Sequence, residues 1–147
     1  YCCAGCAQVA QGVTEQGHEK HTYIIDVLLE ALKSQSLKVQ PMKILYFEGC
    51  HTSYKKHFRQ VELNWANYRE FLNNIDGLTI GDAPRGLCCK IQPERVIAAA
   101  QDAQADALVC ACSGCNVALR AAGRERVRVM SYPALLAQCL GGMPASL

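Results

Sequence analysis

The chain carries little net charge and no long apolar run, and between residues 42 and 142 it has one CxxC pair where a structural zinc site usually takes two. Each shortage closes off a class of function. Fifteen Lys and Arg face thirteen Asp and Glu, for a formal net charge of +2. The groups Lys55-Lys56-His57 and Arg120 to Arg128 are modest, and read as solvated helix ends and loops. No nucleic-acid partner is expected. No uninterrupted apolar stretch is long enough to span a bilayer, so no direct membrane span is expected. The start lacks a charged segment followed by an apolar core, so it does not read as a signal peptide. The expected location is cytoplasmic. The chain opens on Tyr1 and then directly on cysteines, which reads as a piece of a longer protein.

What the chain does have is apolar residues and cysteine. Half of its 147 residues are hydrophobic, enough for the core of one domain, or of one domain and a fragment of another. Ten cysteines is a high number. A secreted domain pairs them as disulfides, whereas a cytosolic one uses them as metal ligands or redox thiols. The apolar, helix-rich sequence and the CxxC spacing favour metal over a disulfide framework.

The order of elements points to a fold class. Tyr23 to Leu32 has an apolar helical face with Asp26 and Glu30 opposite, and Ser34 to Pro41 reads as a polar junction between domains. Met42 to Phe47 reads as a buried strand, ended by Gly49-Cys50. Thr52 or Ser53 opens a helix through Tyr54, Phe58, Val61 and Leu63, and Trp65, Tyr68 and Leu72 continue at helical spacing. Asp76-Gly77 is a turn and Leu78 to Ile80 a strand. Pro93 starts a helix reaching Ala105, and Ala107 to Cys110 is a buried strand. Asn116 to Ala122 is a helix stopped by Gly123, and Val127 to Met130 is the last strand. A final helix runs from Pro133 to Leu140. The alternation predicts an α/β fold with a mainly parallel sheet and flanking helices.

Five thiols fall at the ends of these strands or in the loop after Ile80. They are Cys50, Cys88, Cys89, Cys112 and Cys115. In a parallel sheet the strand-to-helix turns share one edge, where sites are built. Gly49 and Gly114 let the backbone approach closely. Adjacent side chains such as Cys88 and Cys89 diverge and suit two irons of a larger cluster better than one small ion. Five thiolates also exceed what a tetrahedral zinc takes, so an iron–sulfur cluster of unusual shape is favoured, with zinc the alternative. Cys110 and Cys139 read as small buried hydrophobes, and Cys2 as a non-ligand. His51 is the weak catalytic candidate: a donor beside Cys50, or a surface histidine at a helix start. Lys90 and Arg85 flank the cysteine pair, to balance charge or to be solvated.

The two ends of the chain resemble each other. Cys3-Ala4-Gly5-Cys6 lies over Cys112-Ser113-Gly114-Cys115, and Leu28 to Leu32 over Leu135 to Leu140. Residues 1–33 then read as the tail of a first repeat, and 42–142 as a complete second one.

Gly49-Cys50, Cys88-Cys89 and Cys112-Ser113-Gly114-Cys115 together resemble the cysteine-rich CCG domain. That domain occurs, commonly twice, in the cysteine-rich subunit of heterodisulfide reductase and in its relatives. The resemblance covers about residues 42–142, with 1–33 as the C-terminal part of a preceding CCG-type copy. It implies a non-cubane 4Fe-4S cluster on Cys50, Cys88, Cys89, Cys112 and Cys115, with Cys3 and Cys6 serving a second such site. It further implies an oxidoreductase subunit that passes electrons to or from a thiol or disulfide substrate. The implied partners are a ferredoxin-like iron–sulfur subunit and other subunits of a complex. A non-catalytic electron relay and a structural zinc domain are the alternatives. The sequence departs from the family at Lys90, where the family has glycine. The spacer before Cys112 is also shorter than the one before Cys88, whereas the family's two spacers are more alike.

Overall fold

Four short apolar runs become the strands of one sheet in the computed structural model, which describes Ala4, Cys6 and residues 22–53 and 63–141. They are β1 (Lys38–Phe47), β2 (Asp76–Asp82), β3 (Ala107–Cys110) and β4 (Val129–Ser131). Their order across the sheet is β2-β1-β3-β4, and every pairing is parallel. Parallel neighbours need crossovers, which helices supply. Helix α1 (Ile24–Leu32) precedes β1, and α2 (Cys50–Ser53) and α3 (Trp65–Leu72) lie between β1 and β2. Helix α4 (Pro93–Asp102) leads to β3, α5 (Ser113–Gly123) leads to β4, and α6 (Tyr132–Cys139) follows it. The α/β class with a parallel sheet and flanking helices is therefore as expected.

The two-residue period of a strand divides the core between the two faces. Ile44 and Tyr46 of β1 pack with Ile25 and Leu29 of α1, Tyr68 and Leu72 of α3, and Leu135 and Leu136 of α6. Leu45 and Phe47 pack on the other face with Val96, Ile97 and Ala100 of α4 and Leu119 of α5. Pro93 occupies the first turn of α4, where its missing N–H costs nothing. Ser131 caps α6 by accepting from the Ala134 amide at 3.3 Å. Among the described residues no helix is long and apolar enough to cross a membrane.

Several boundaries differ from expectation. Residues 38–41, read as part of a junction, are the first part of β1, and α1 packs into the same core as the sheet. Pro41 is tolerated because the β1–β2 register shifts between Lys38 and Met42. Gly77 makes that irregularity fit: its φ is +81°, and a Cβ there would lie 2.3 Å from the Val39 carbonyl oxygen. Helix α5 begins at Ser113, three residues early, so Cys115 sits in its first turn. Gly123 is less a stop signal than a contact. A Cβ there would meet Ile97 Cδ1 at 3.0 Å, while Arg124 takes the positive φ of 40°. The helix expected through Tyr54, Phe58 and Val61 lies outside the described residues beyond Ser53.

Gly77 and Gly86 separate backbone strain from steric conflict. Both have positive φ, but nothing lies within 4 Å of a Cβ on Gly86. Gly86→Ala is expected to cost about 1 kcal/mol, and Gly77→Ala about 3 kcal/mol or more because the β1 backbone must move. Urea denaturation of the two variants measures this; equal losses would disprove the tight β1–β2 contact.

Candidate metal centre

Strands β1 and β3 are neighbours, and Phe47 pairs with Cys110 at their C-terminal ends. The Ala111 amide donates to the Phe47 carbonyl at 3.1 Å and extends the pairing one step further. Cys50 follows β1 and Cys112 follows β3, so both emerge at the same rim. The chain leaves β1 toward β2 and leaves β3 toward β4, in opposite directions across the sheet. The rim between β1 and β3 is thus the topological switch point, the usual crevice of such sheets. The loop after β2 brings Cys88 and Cys89 to it.

Gly49 lets these segments close up. Its φ of +124° suits glycine, and a Cβ there would lie 3.4 Å from Cys112 Cβ and 3.5 Å from Cys115 Sγ. From behind, the Tyr23 hydroxyl donates to the Ala111 carbonyl at 2.7 Å and pins the turn between β3 and Cys112. Tyr23 lies immediately before α1, so the first helix helps to position the site.

All five thiols are buried in one cluster. The Sγ atoms of Cys50, Cys89 and Cys115 lie within 4.8 Å of one another, with Cys50 and Cys89 4.0 Å apart. Cys88 and Cys112 lie in the same buried cluster, outside this trio. The electrostatics divide the set. Hydrogen bonds from the Cys115 thiol, then from Cys89, hold Cys50 far below the ordinary thiol range. Cys112 is also lowered, by the Cys115 thiol and by the backbone amides of Ala4, Cys115 and Gly114. Cys115 is pushed up because its protonated thiol is favoured by Cys112, Cys50 and Cys89, any one of which can accept its single proton. Cys89 gains from the Cys115 thiol, yet its bond to Cys50 and its burial drive it up overall. Two sulfurs are thus disposed to be anionic and two to donate to them, and deprotonated sulfur is what a metal binds.

The remaining candidates fall into place around this set. Cys110 is fully buried on the same face, and burial holds its thiol neutral. It forms part of the wall, as its reading as a small hydrophobe anticipated. Cys139 belongs to the core on the opposite face. His51 is 8% exposed and follows Cys50 directly, so the surface reading of it was wrong. His18, His21 and His57 lie outside the described residues, as do Cys2 and Cys3. Cys6 is exposed. Lys90 is exposed too, and Arg85 pairs with Glu48 at 3.7 Å.

One participant was not foreseen. Ala4 is fully buried among the cysteines, and its amide donates to Cys112 Sγ at 3.3 Å. An alanine amide acting across 108 residues leaves no mark in sequence spacing. The Cys3-Ala4-Gly5-Cys6 segment, read as serving a second site, thus has its Ala4 amide against the five-thiol site itself.

No family model matches the chain, and no curated protein or solved structure matches it either.

The described geometry is a buried cysteine cluster that can hold a metal ion. Cobalt(II) reports thiolate ligation through its sulfur-to-metal charge-transfer absorption. Cys50→Ser, Cys89→Ser and Cys115→Ser are each expected to lower cobalt affinity about tenfold or more, while Cys139→Ser leaves it unchanged. Titration at fixed pH measures this; equal loss in Cys139→Ser would remove the assignment.

Proposed function

We propose that the five-thiol centre holds an iron–sulfur cluster of the non-cubane 4Fe-4S type. On this reading the chain is the cluster-bearing subunit of a heterodisulfide reductase-like, cytoplasmic oxidoreductase complex. The observation that carries it is the convergence of Cys50, Cys88, Cys89, Cys112 and Cys115 into one buried set. Four ligands complete a tetrahedral zinc, and a fifth buried thiol would then be surplus. An adjacent pair, with Cys89 in the central trio and Cys88 buried in the same cluster, suits a centre with more than one metal atom. The donors are soft sulfur throughout, which fits iron–sulfur chemistry.

The chain's own residues would have distinct tasks. The five cysteines would hold the group. The amides of Ala4, Gly114 and Cys115 would offset negative charge at Cys112, as hydrogen bonds to cluster sulfurs do elsewhere. Cys110, Leu87 and Phe47 would keep water out. When bound, the group would supply electron transfer to a thiol or disulfide substrate, with electrons exchanged through a ferredoxin-like partner subunit. His51, buried and next to Cys50 in the chain, would be the residue to donate a hydrogen bond near the site.

A zinc centre is the second reading, and one observation favours it. Two sulfurs on a tetrahedral zinc with bonds of about 2.3 Å stand about 3.8 Å apart. The Cys50–Cys89 separation of 4.0 Å is close to that.

Anaerobic purification with iron, sulfide and zinc analysis, followed by EPR of the reduced and oxidised protein, tests the proposal. Iron and sulfide in equal amounts and a cluster EPR signal are expected, with Cys88→Ser and Cys89→Ser each reducing both. A colourless protein with zinc and no sulfide would overturn it. Mixing reduced protein with a disulfide should change the EPR signal; no change would make the subunit a relay.

A further inference from the structure

A cavity of about 610 Å³ opens at the same sheet rim, over the ends of β1 and β2 and against α3. Gly49 is common to both places: it lines the cavity, and its missing side chain would reach 3.5 Å from Cys115 Sγ. The cavity is therefore separated from the cysteine cluster by a wall without a side chain. Its apolar lining includes Phe47, Ala66, Ala83 and Pro84.

The polar groups lining it sort into committed and uncommitted. Arg69 is committed: it donates to both Asp82 oxygens, at 2.5 and 3.2 Å, and to Asn73 Oδ1 at 2.7 Å. Thr52 donates to the Gly49 carbonyl at 2.8 Å. Among the described residues, what remains is the exposed carboxylate of Glu70 and the pair Glu48 and Arg85. Glu48 and Arg85 face each other at 3.7 Å, too far for a hydrogen bond, and their side chains are 20% and 81% exposed. Tyr46 also lines the cavity, with its hydroxyl buried and without a hydrogen-bond partner among the described residues.

We infer that this cavity binds a small amino-acid-type zwitterion carrying sulfur. Its ammonium lies on Glu48 and its carboxylate on Arg85, with its sulfur-bearing arm directed at the Gly49 wall. An open carboxylate–guanidinium pair has the charge pattern of such a ligand. Inserting the ligand replaces one long contact with two charge-assisted ones. Arg85 is exposed enough to move outward, and Glu48 is the more buried of the two. Delivery of sulfur to the cysteine centre rests on the redox reading above; the charge recognition does not.

The test uses probes with blocked sulfur, so that none can ligate a metal as a thiol. They are S-methyl-L-cysteine, 2-(methylthio)ethylamine, which keeps only the ammonium, and 3-(methylthio)propionate, which keeps only the carboxylate. Calorimetry on the full chain should show S-methyl-L-cysteine binding about tenfold more tightly than either half-probe. Glu48→Gln should abolish the advantage over the propionate, and Arg85→Ala the advantage over the amine, with circular dichroism unchanged in both. Equal binding of the three probes, or no effect of either variant, overturns the inference. Iron and sulfide content is measured separately, so a missing cluster with intact zwitterion binding would sink only the redox reading.

Discussion

The parallel pairing of β1 with β3 is the constraint on which the site depends. With Phe47 opposite Cys110, the next residues of each strand must leave the sheet side by side. Gly49 then lets one exit pack directly on the other, and Cys50 meets Cys112 and Cys115. A slip of one residue in β1 would turn Phe47 to the other face and exchange the two cores. It would also carry Cys50 away from its partners. The layers on either side secure this register: Ile44 and Tyr46 are held by α1, α3 and α6, and Leu45 and Phe47 by α4 and α5.

Once assembled, the thiol cluster is electrostatically unfinished. A buried thiolate is costly unless hydrogen bonds or a metal compensate it. Here the Cys89 thiol can donate to Cys50, three amides serve Cys112, and the single Cys115 proton is shared between Cys50 and Cys112. Compensation from inside the chain thus covers a limited amount of negative charge. Full deprotonation of all five needs cations in the middle, which couples metal loading to the stability of the whole rim. The Tyr23–Ala111 hydrogen bond carries that coupling to the first helix, and the Ala4 amide carries it to the start of the chain.

Much of this could be read from the sequence, for a physical reason. Apolar runs alternating with amphipathic segments specify a parallel α/β sheet. A Gly-Cys or CxxC directly after such a run must then lie at its C-terminal rim, which located Cys50, Cys112 and Cys115. What escaped depends on partners far away in the chain. Pro41 belongs to a strand only because Gly77, on β2, admits the irregularity. His51 is buried at the turn after β1, which its place at a helix start does not announce. Gly123 looked like a helix stop, but its role is set by Ile97 on a neighbouring helix. Glu48, Arg85 and Tyr46 belong to no motif, and their relation exists only in three dimensions. The internal repeat is a likeness between two stretches of sequence. Of the first stretch, only Ala4, Cys6 and residues 22–33 are described.

Gly49 brings these threads together, because one absent side chain serves two neighbouring spaces. On one side it allows the cysteines of two strand exits to converge. On the other it forms part of a cavity whose charged lining is poorly committed. A larger residue would have to give way to Cys112 and Cys115 or project elsewhere at a φ of +124° that disfavours any side chain. The thin wall and the tight cluster therefore have the same cause. Closeness of the cavity to the thiols then needs no separate device: it follows from the register of β1 and β3 and from the residue that lets their ends meet.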